Sequence, residues 1–247
     1  MDRLVHASLS ALRGAMARQA ATANNLANAG TTGFRADLPA AQSVWLQSGG
    51  EVFAARSASQ TLSADMAAGT ITATGRDLDV ALSGDAMLGV QAANGDEAYT
   101  RRGDLRVTDS GLLTTGDGSP VLGEGGPITL PPHDSVRIDG DGAIWIVPTG
   151  GDPNTPTQVD RLKLVSPRGS EVVKGLDNLF RVRGQGALPT DPDARLTARS
   201  LEGSNVNTSQ ALIEMVEASR AWDTQLNLIQ SARDIDTSAS DLMRLPS

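Results

Sequence analysis

Catalysis needs side chains that can hold a proton, a metal or a leaving group, and this chain offers few in useful company. It has two histidines, His6 and His133. His6 falls in a helical pattern and His133 follows Pro131-Pro132, so a helix-borne pair of zinc-binding histidines is excluded and each reads as a surface residue. Cysteine is absent, which removes disulfides, thiolate zinc sites and cysteine nucleophiles together. No G-x-S-x-G elbow occurs, and Gly123-Glu124-Gly125-Gly126 lacks the lysine of a phosphate loop. The best metal candidate is Asp139-Gly140-Asp141-Gly142. Ala143 stands where a calcium loop needs its third ligand and Gly150 where it needs a glutamate, so the run reads as a β-turn. Asp191 and Asp193 flank Pro192 and read as loop. The 29 acidic residues allow many carboxylate pairs, but their surroundings single out none. The expectation is a protein with no catalytic residues, no metal and no cofactor.

The strongest pattern is apolar and lies at the chain ends. From Leu201 to Leu245 no proline occurs and the only glycine is Gly203. Leu212, Met215, Ser219, Trp222, Leu226 and Ile229 recur in steps of three and four. After a one-residue shift, Leu228, Ala232, Ile235, Ala239 and Leu242 continue the rhythm. This is a narrow coiled-coil stripe with one stutter. Asn207, Thr208 and Ser209 offer caps for its start. At the other end Val5, Leu9, Leu12, Met16, Gln19, Ala23 and Leu26 keep the same alternation. Two readings are open for this first helix: packing on its own domain, or half of a coiled coil with the last helix. Matching seams favour the second. Asn24, Asn25, Asn28 and Gly30-Thr31-Thr32-Gly33 stop the helix. The asparagines either only turn the chain or also make contacts between subunits or with Asn205 and Asn207.

Between the ends the texture changes. Residues 31–68 have weak periodicity and read as an extended connector. From 69 to 189, short runs rich in Val, Ile, Leu and Thr alternate with Gly, Asn, Asp and Pro breaks, the pattern of a β domain. Residues 190–206 read as a linker back to the helix over 207–247. The fold expected is α+β: helices within 1–30 and 207–247 forming a coiled-coil-like pair, with a mainly-β middle domain inserted between them. The 247 residues allow real cores, and with only 3% aromatics those cores must be aliphatic. A net charge of −8 argues against nucleic acid as the main partner. No run approaches the roughly 20 apolar residues of a membrane span, so no membrane insertion is expected. Arg13 and Arg18 interrupt any secretory signal, which points to the cytoplasm or to export by another route.

Several stretches carry a resemblance. Ala23-Asn24-Asn25-Leu26-Ala27-Asn28-Ala29-Gly30-Thr31-Thr32-Gly33-Phe34 resembles the N-terminal signature of the flagellar axial proteins, the rod and hook family. Leu78–Gly84, Ala98-Tyr99-Thr100-Arg101-Arg102-Gly103, Val121-Leu122-Gly123 and Gly126–Pro131 are similar to that family's middle β region. Leu201-Glu202-Gly203-Ser204-Asn205-Val206-Asn207 resembles its C-terminal signature. Length and Val159–Val165 look most like the proximal rod members, with the distal rod as near neighbour. One departure is that Ala86-Met87-Leu88-Gly89-Val90 stands where relatives usually carry Gly-Phe-Phe-x-Val.

The resemblance implies a structural, non-enzymatic subunit of the basal-body rod, polymerised across the periplasm to carry torque. It implies copies of itself and other rod proteins as partners, and export by the flagellum's type III apparatus. The assembly interface expected comprises Val5, Leu9, Leu12, Met16, Ala23, Asn24, Asn25, Leu26, Asn28, Gly33, Phe34, Asn205, Asn207, Leu212, Met215, Trp222, Leu226, Ile229, Ile235 and Leu242. The rival readings are a distal-rod or hook-type subunit, a secreted β-domain binding module oligomerised by its helices, and, least supported, an enzyme with a β-sandwich or β-helix body.

Overall fold

A computed structural model describes residues 2–48, 51–184 and 186–243, with side chains over 12–38, 63–184 and 186–224 and at 226, 227, 230 and 231. Helix α1 (Asp2–Ala27) is built mainly from alanine and long straight side chains, which lose little freedom in a helix. It stops where the Asn28 carbonyl accepts the Thr31 N–H at 3.0 Å and Gly33 takes a φ of 67°. Helix α2 (Thr208–Met243) starts at a cap. Of the three residues the sequence offers, Asn207 fills the role: its Oδ1 accepts the Gln210 N–H at 3.1 Å and its carbonyl accepts the Ala211 N–H at 2.9 Å.

The strands are β1 (Asp37–Ser48), β2 (Glu51–Ala64), β3 (Ile71–Ala73), β4 (Val80–Leu82), β5 (Met87–Gln91), β6 (Glu97–Thr100), β7 (Leu105–Val107) and β8 (Leu113–Thr115), followed by β9 (His133–Ile138), β10 (Ala143–Pro148), β11 (Thr157–Arg161), β12 (Leu164–Val165), β13 (Val172–Lys174), β14 (Phe180–Val182), β15 (Leu196–Ala198) and β16 (Ser200–Glu202). The chain is thus α+β, with a helix at each end and mostly strands between.

It divides into two compact units. The first gathers α1, the β1–β2 pair and α2, that is, residues up to Ala27, Asp37–Ser63 and Asn207 onward. Along α2 the better-covered residues are Ala211, Met215, Ala218 and Trp222, spaced four, three and four. Leu212, Ile213 and Val216 form a second apolar face and are 49%, 54% and 53% exposed. The single stripe read from the sequence is therefore two faces.

The second unit, the β body, comprises Asn28–Ala36 and Ala64–Val206. Its largest sheet runs β12-β5-β6-β14-β13, and a three-stranded sheet runs β11-β10-β9. The two-stranded pairs β15-β4, β16-β3 and β7-β8 complete it. Strands β4 and β8 are buried along their whole length; β4, Val80-Ala81-Leu82, therefore reads as an apolar run rather than as an alternation, while β8 also buries Thr114 and Thr115. The core is aliphatic, as the composition required, with Leu82, Leu88, Val90, Leu105, Leu113, Ile138, Ile144, Leu162 and Leu164 among its members. A second cluster holds Met87, Tyr99, Val165, Phe180 and Leu188. Tyr99 is buried, its OH accepts the Leu188 N–H at 2.5 Å and it donates to Glu97 at 2.8 Å; burial raises its pKa above the ordinary tyrosine range.

Two stretches differ from the sequence reading. Residues 190–206, expected as a linker, carry β15 and β16. Leu196, Thr197 and Ala198 pair with Leu82, Ala81 and Val80, and Ser200, Leu201 and Glu202 with Ala73, Thr72 and Ile71. Three-residue strands give too little alternation to be heard against Pro189, Pro192 and the charged residues around them. Within 31–68, expected as an extended connector, β1 and β2 pair as a two-stranded sheet. The run Ile128–Leu130 forms no strand and makes one isolated bridge, Thr129 with Leu112.

Candidate functional site

The chain passes between the two units after Ala27, Ala36, Ser63 and Val206. On the β-body side these passages converge on one cluster. It is built from the residues after α1, from the segment between β2 and β3, and from β16 and its continuation.

At its centre Glu202 is buried, with a side chain 1% exposed. Arg35 donates from Nη2 to Glu202 Oε1 at 2.7 Å, and the Gly69 N–H donates to the same oxygen at 2.8 Å. Arg101 donates from Nε to Oε2 at 2.9 Å, and its Nη2 lies 2.7 Å from that oxygen. The rest of the Arg101 guanidinium is spent on backbone carbonyls: Nη1 reaches Gly84 and Ala86 at 2.6 and 2.8 Å, and Nη2 reaches Leu82 at 2.7 Å. Arg101 therefore places every N–H. Arg35 does not, since its Nε and Nη1 are buried without a hydrogen-bond partner.

Burial pushes the Glu202 carboxyl towards its neutral form, but the Arg35 and Arg101 guanidiniums and the Gly69 amide outweigh it and hold its pKa below the ordinary glutamate value. Burial likewise lowers Arg101, against the opposing pull of Glu202.

Backbone contacts close the cluster. The Gly33 N–H donates to the Glu202 carbonyl at 2.8 Å, and the Asn205 N–H to the Phe34 carbonyl at 3.3 Å. A Cβ on Gly33 would run into the Arg101 carbonyl, and one on Gly69 into the Gly203 carbonyl, so these approaches need glycine. Lys174 Nζ donates to the Arg35 carbonyl at 2.8 Å and sits 3.7 Å from the centre of the Phe34 ring. Asn205 spends its whole carboxamide: Oδ1 accepts the Ala36 N–H at 2.8 Å, and Nδ2 donates to the Asp65 and Ala67 carbonyls at 2.9 and 3.0 Å.

Gly33, Phe34 and Asn205, three residues singled out from the sequence, thus meet at one place. Asn24 and Asn25 turn to another partner. Asn24 donates to the Asp37 carboxylate at 2.5 Å, Asn25 donates to the Asp37 carbonyl at 3.0 Å, and Asn25 Oδ1 accepts the Asp37 N–H at 2.7 Å. Asn28 Oδ1 accepts the Thr31 hydroxyl at 3.2 Å. Asn207 caps α2. Leu12, Leu26, Met215 and Trp222 are partly covered, while Met16, Ala23, Leu212 and Leu226 are exposed. The side chains of Val5, Leu9, Ile229, Ile235 and Leu242 lie outside the described residues.

Sequence reasoning missed the charged centre: Glu202, Arg35, Arg101 and Lys174. The available signal was that Arg101 and Glu202 each sit inside a quoted signature beside residues of buried strands, where an unpaired charge is too costly to keep. Elsewhere the acidic runs are tied up locally. Asp139 pairs with Arg137 at 3.1 Å and Asp141 with Arg161 at 3.0 Å. His133 has a ring nitrogen 2.8 Å from the Pro131 carbonyl. Among the described residues no group of three or more His, Cys, Asp or Glu could hold a metal ion, and no helix is long and apolar enough to cross a membrane.

A helix at each end and a β body that gathers residues 28–36 and 202–206 around one buried ion cluster define an α+β structural subunit. The chain belongs to the flagellar basal-body rod and hook family. Residues 6–35 match the family described as flagella basal body rod protein, 81–146 the flagellar hook protein FlgE/F/G D1 domain, and 197–242 the flagellar basal body rod FlgEFG protein C-terminal family. The chain is 40% identical to the flagellar basal-body rod protein FlgF of Salmonella typhimurium over 99% of its own length and 100% of that protein's. It is 39% identical to FlgF of Escherichia coli over the same shares. The FlgF of Caulobacter vibrioides is 30% identical, with 97% of each chain covered.

Proposed function

We propose that this chain is a structural subunit of the bacterial flagellar basal-body rod, of the kind of the FlgF proteins it is similar to, and that its terminal helices join it to copies of itself and to other rod subunits. The observation that carries the first part is the end-to-end match to FlgF proteins at up to 40% identity. The protein is a building element and not an enzyme, and its place is the basal body.

The terminal helices are the polymerising part of this reading. Two facts support their coiled-coil-like pairing. Helices α1 and α2 fall in one compact unit and neighbour each other there. The covered residues of α2 follow a coiled-coil rhythm through Ala211, Met215, Ala218 and Trp222. The pair is the part of the subunit that enters the rod. Leu212, Ile213 and Val216 then remain for a neighbouring subunit. About half of each side chain is still exposed, so covering them is worth about 1 kcal/mol apiece. Contacts of that size add up along a stack without fusing single molecules irreversibly. A head-to-tail contact that does not close on itself grows a fibre. Export follows the flagellar type III route, and the subunit works in the periplasmic span of the rod.

Electron microscopy of basal bodies from cells with and without this chain tests the reading. Rods are expected to be missing or truncated in its absence and restored when it is supplied. Complete rods and normal swimming without it would reject the assignment.

A further inference from the structure

Asn205 sits at an unusual crossing. Its one carboxamide holds two segments that are far apart in sequence: Ala36, at the end of the first β-body segment, and Asp65 and Ala67, at the start of the second. It does so from the last stretch before α2. The Asp65 N–H donates in turn to the Ala36 carbonyl at 2.8 Å, and the Asn205 N–H reaches the Phe34 carbonyl. Geometry of this kind demands an amide. One acceptor and two donors are needed at once, and among short side chains only asparagine has both. The side chain is partly exposed and carries no charge, so it contributes little to the core. Its bonds bear on where segments lie and not on whether the β body folds, because the core and the Glu202 ion cluster supply that stability.

We propose that Asn205 is a positioning residue for assembly, acting inside its own subunit. By tying Ala36, Asp65 and Ala67 to the stretch before α2, it fixes the starting points of the segments that run to β1, from β2 and to α2. The segments tied in this way are ordered in the single molecule before any rod forms. This inference rests on the rod reading only where cells are used.

The test is Asn205→Asp, which keeps the shape and the acceptor but replaces two donors with a carboxylate facing two carbonyls. It is applied to the full chain in two arms. In the purified single molecule, hydrogen exchange at the Ala36 and Asp65 amides is expected to speed up by about tenfold or more, while the Leu113 and Val121 amides of the core keep their rates. In cells whose own copy is deleted, the variant is exported but fails to restore swimming, whereas the wild-type chain restores it. Unchanged exchange at Ala36 and Asp65 overturns the proposal, as does loosened exchange with normal swimming. Loss of core protection also overturns it, since Asn205 would then be a general stability residue. Asn205→Ala guards against an effect of the new charge, and the same loosening is expected from it. Failure of the rod reading looks different: the deletion itself would leave swimming intact, and the exchange arm would still judge the clasp.

Discussion

Replacing Glu202 by glutamine should weaken the β body far more than a single isosteric change on the surface could. The wild-type carboxylate accepts three hydrogen bonds, from Arg35, Gly69 and Arg101 Nε, and pairs with Arg101 Nη2 at 2.7 Å. Glutamine keeps the volume and one acceptor oxygen. It also turns an NH2 towards one of the guanidiniums and leaves Arg35 and Arg101, 1% and 2% exposed, without their counter-charge. Breaking a buried ion pair from one side costs about 3–5 kcal/mol, and the retained acceptor places this variant near about 3 kcal/mol. A unit of this size shifts its midpoint by about 2–4 °C per kcal/mol, so the expected loss is about 6–12 °C. Thermal unfolding followed by circular dichroism at pH 7 reads this directly. Because the Glu202 pKa is held below its ordinary value, its contribution is fully present above the unfolded glutamate pKa of about 4.3. That contribution is lost as pH falls through the folded pKa. The gap between wild type and variant should therefore be constant from neutral pH down to about 5 and close at lower pH. It should also change little with salt, since a buried pair is poorly screened. A midpoint shift below about 2 °C, or a gap that widens on acidification, would refute the idea that this cluster holds the chain's segments together.

Other outcomes follow from the same geometry. Gly33→Ala must be strained, because φ is 67° and the new Cβ meets the Arg101 carbonyl; a loss of about 1–3 kcal/mol in chemical denaturation is expected, and an unchanged midpoint would count against that approach. Tyr99→Phe strands the Leu188 N–H, whose bond to the tyrosine oxygen is 2.5 Å, and should cost about 1–3 kcal/mol in the same assay. Leu226→Asp should leave the β body's thermal midpoint untouched while abolishing rods and motility, and motile cells with normal rods would contradict the helical seam.

How far the sequence could be read depended on the length of each pattern. The two terminal helices were legible because their periodicity runs for many turns. Strands such as β5 and β10 were legible as apolar runs between turn residues. Strands β15 and β16 were not, since three residues carry almost no periodic signal and their partners β4 and β3 lie more than a hundred residues away. Around the Glu202 cluster, Gly33, Phe34 and Asn205 stood out as residues of the signatures. Arg35, Arg101 and Glu202 did not, because a charged residue in a linear sequence reads as solvated until a fold brings its counter-ion. On α2 the faces were merged: Leu212 and Met215 belong to one stripe by spacing, yet Met215 is partly covered while Leu212 stands open.

The most direct test of the account exploits the absence of cysteine. A single Val216→Cys places a unique thiol on the open face of α2, where Val216 is 53% exposed. Maleimide labelling of the purified single molecule should proceed at the rate of a free surface thiol, and the same residue in isolated basal bodies should be protected. Equal labelling in both states would contradict the claim that this face is the one a neighbouring subunit covers.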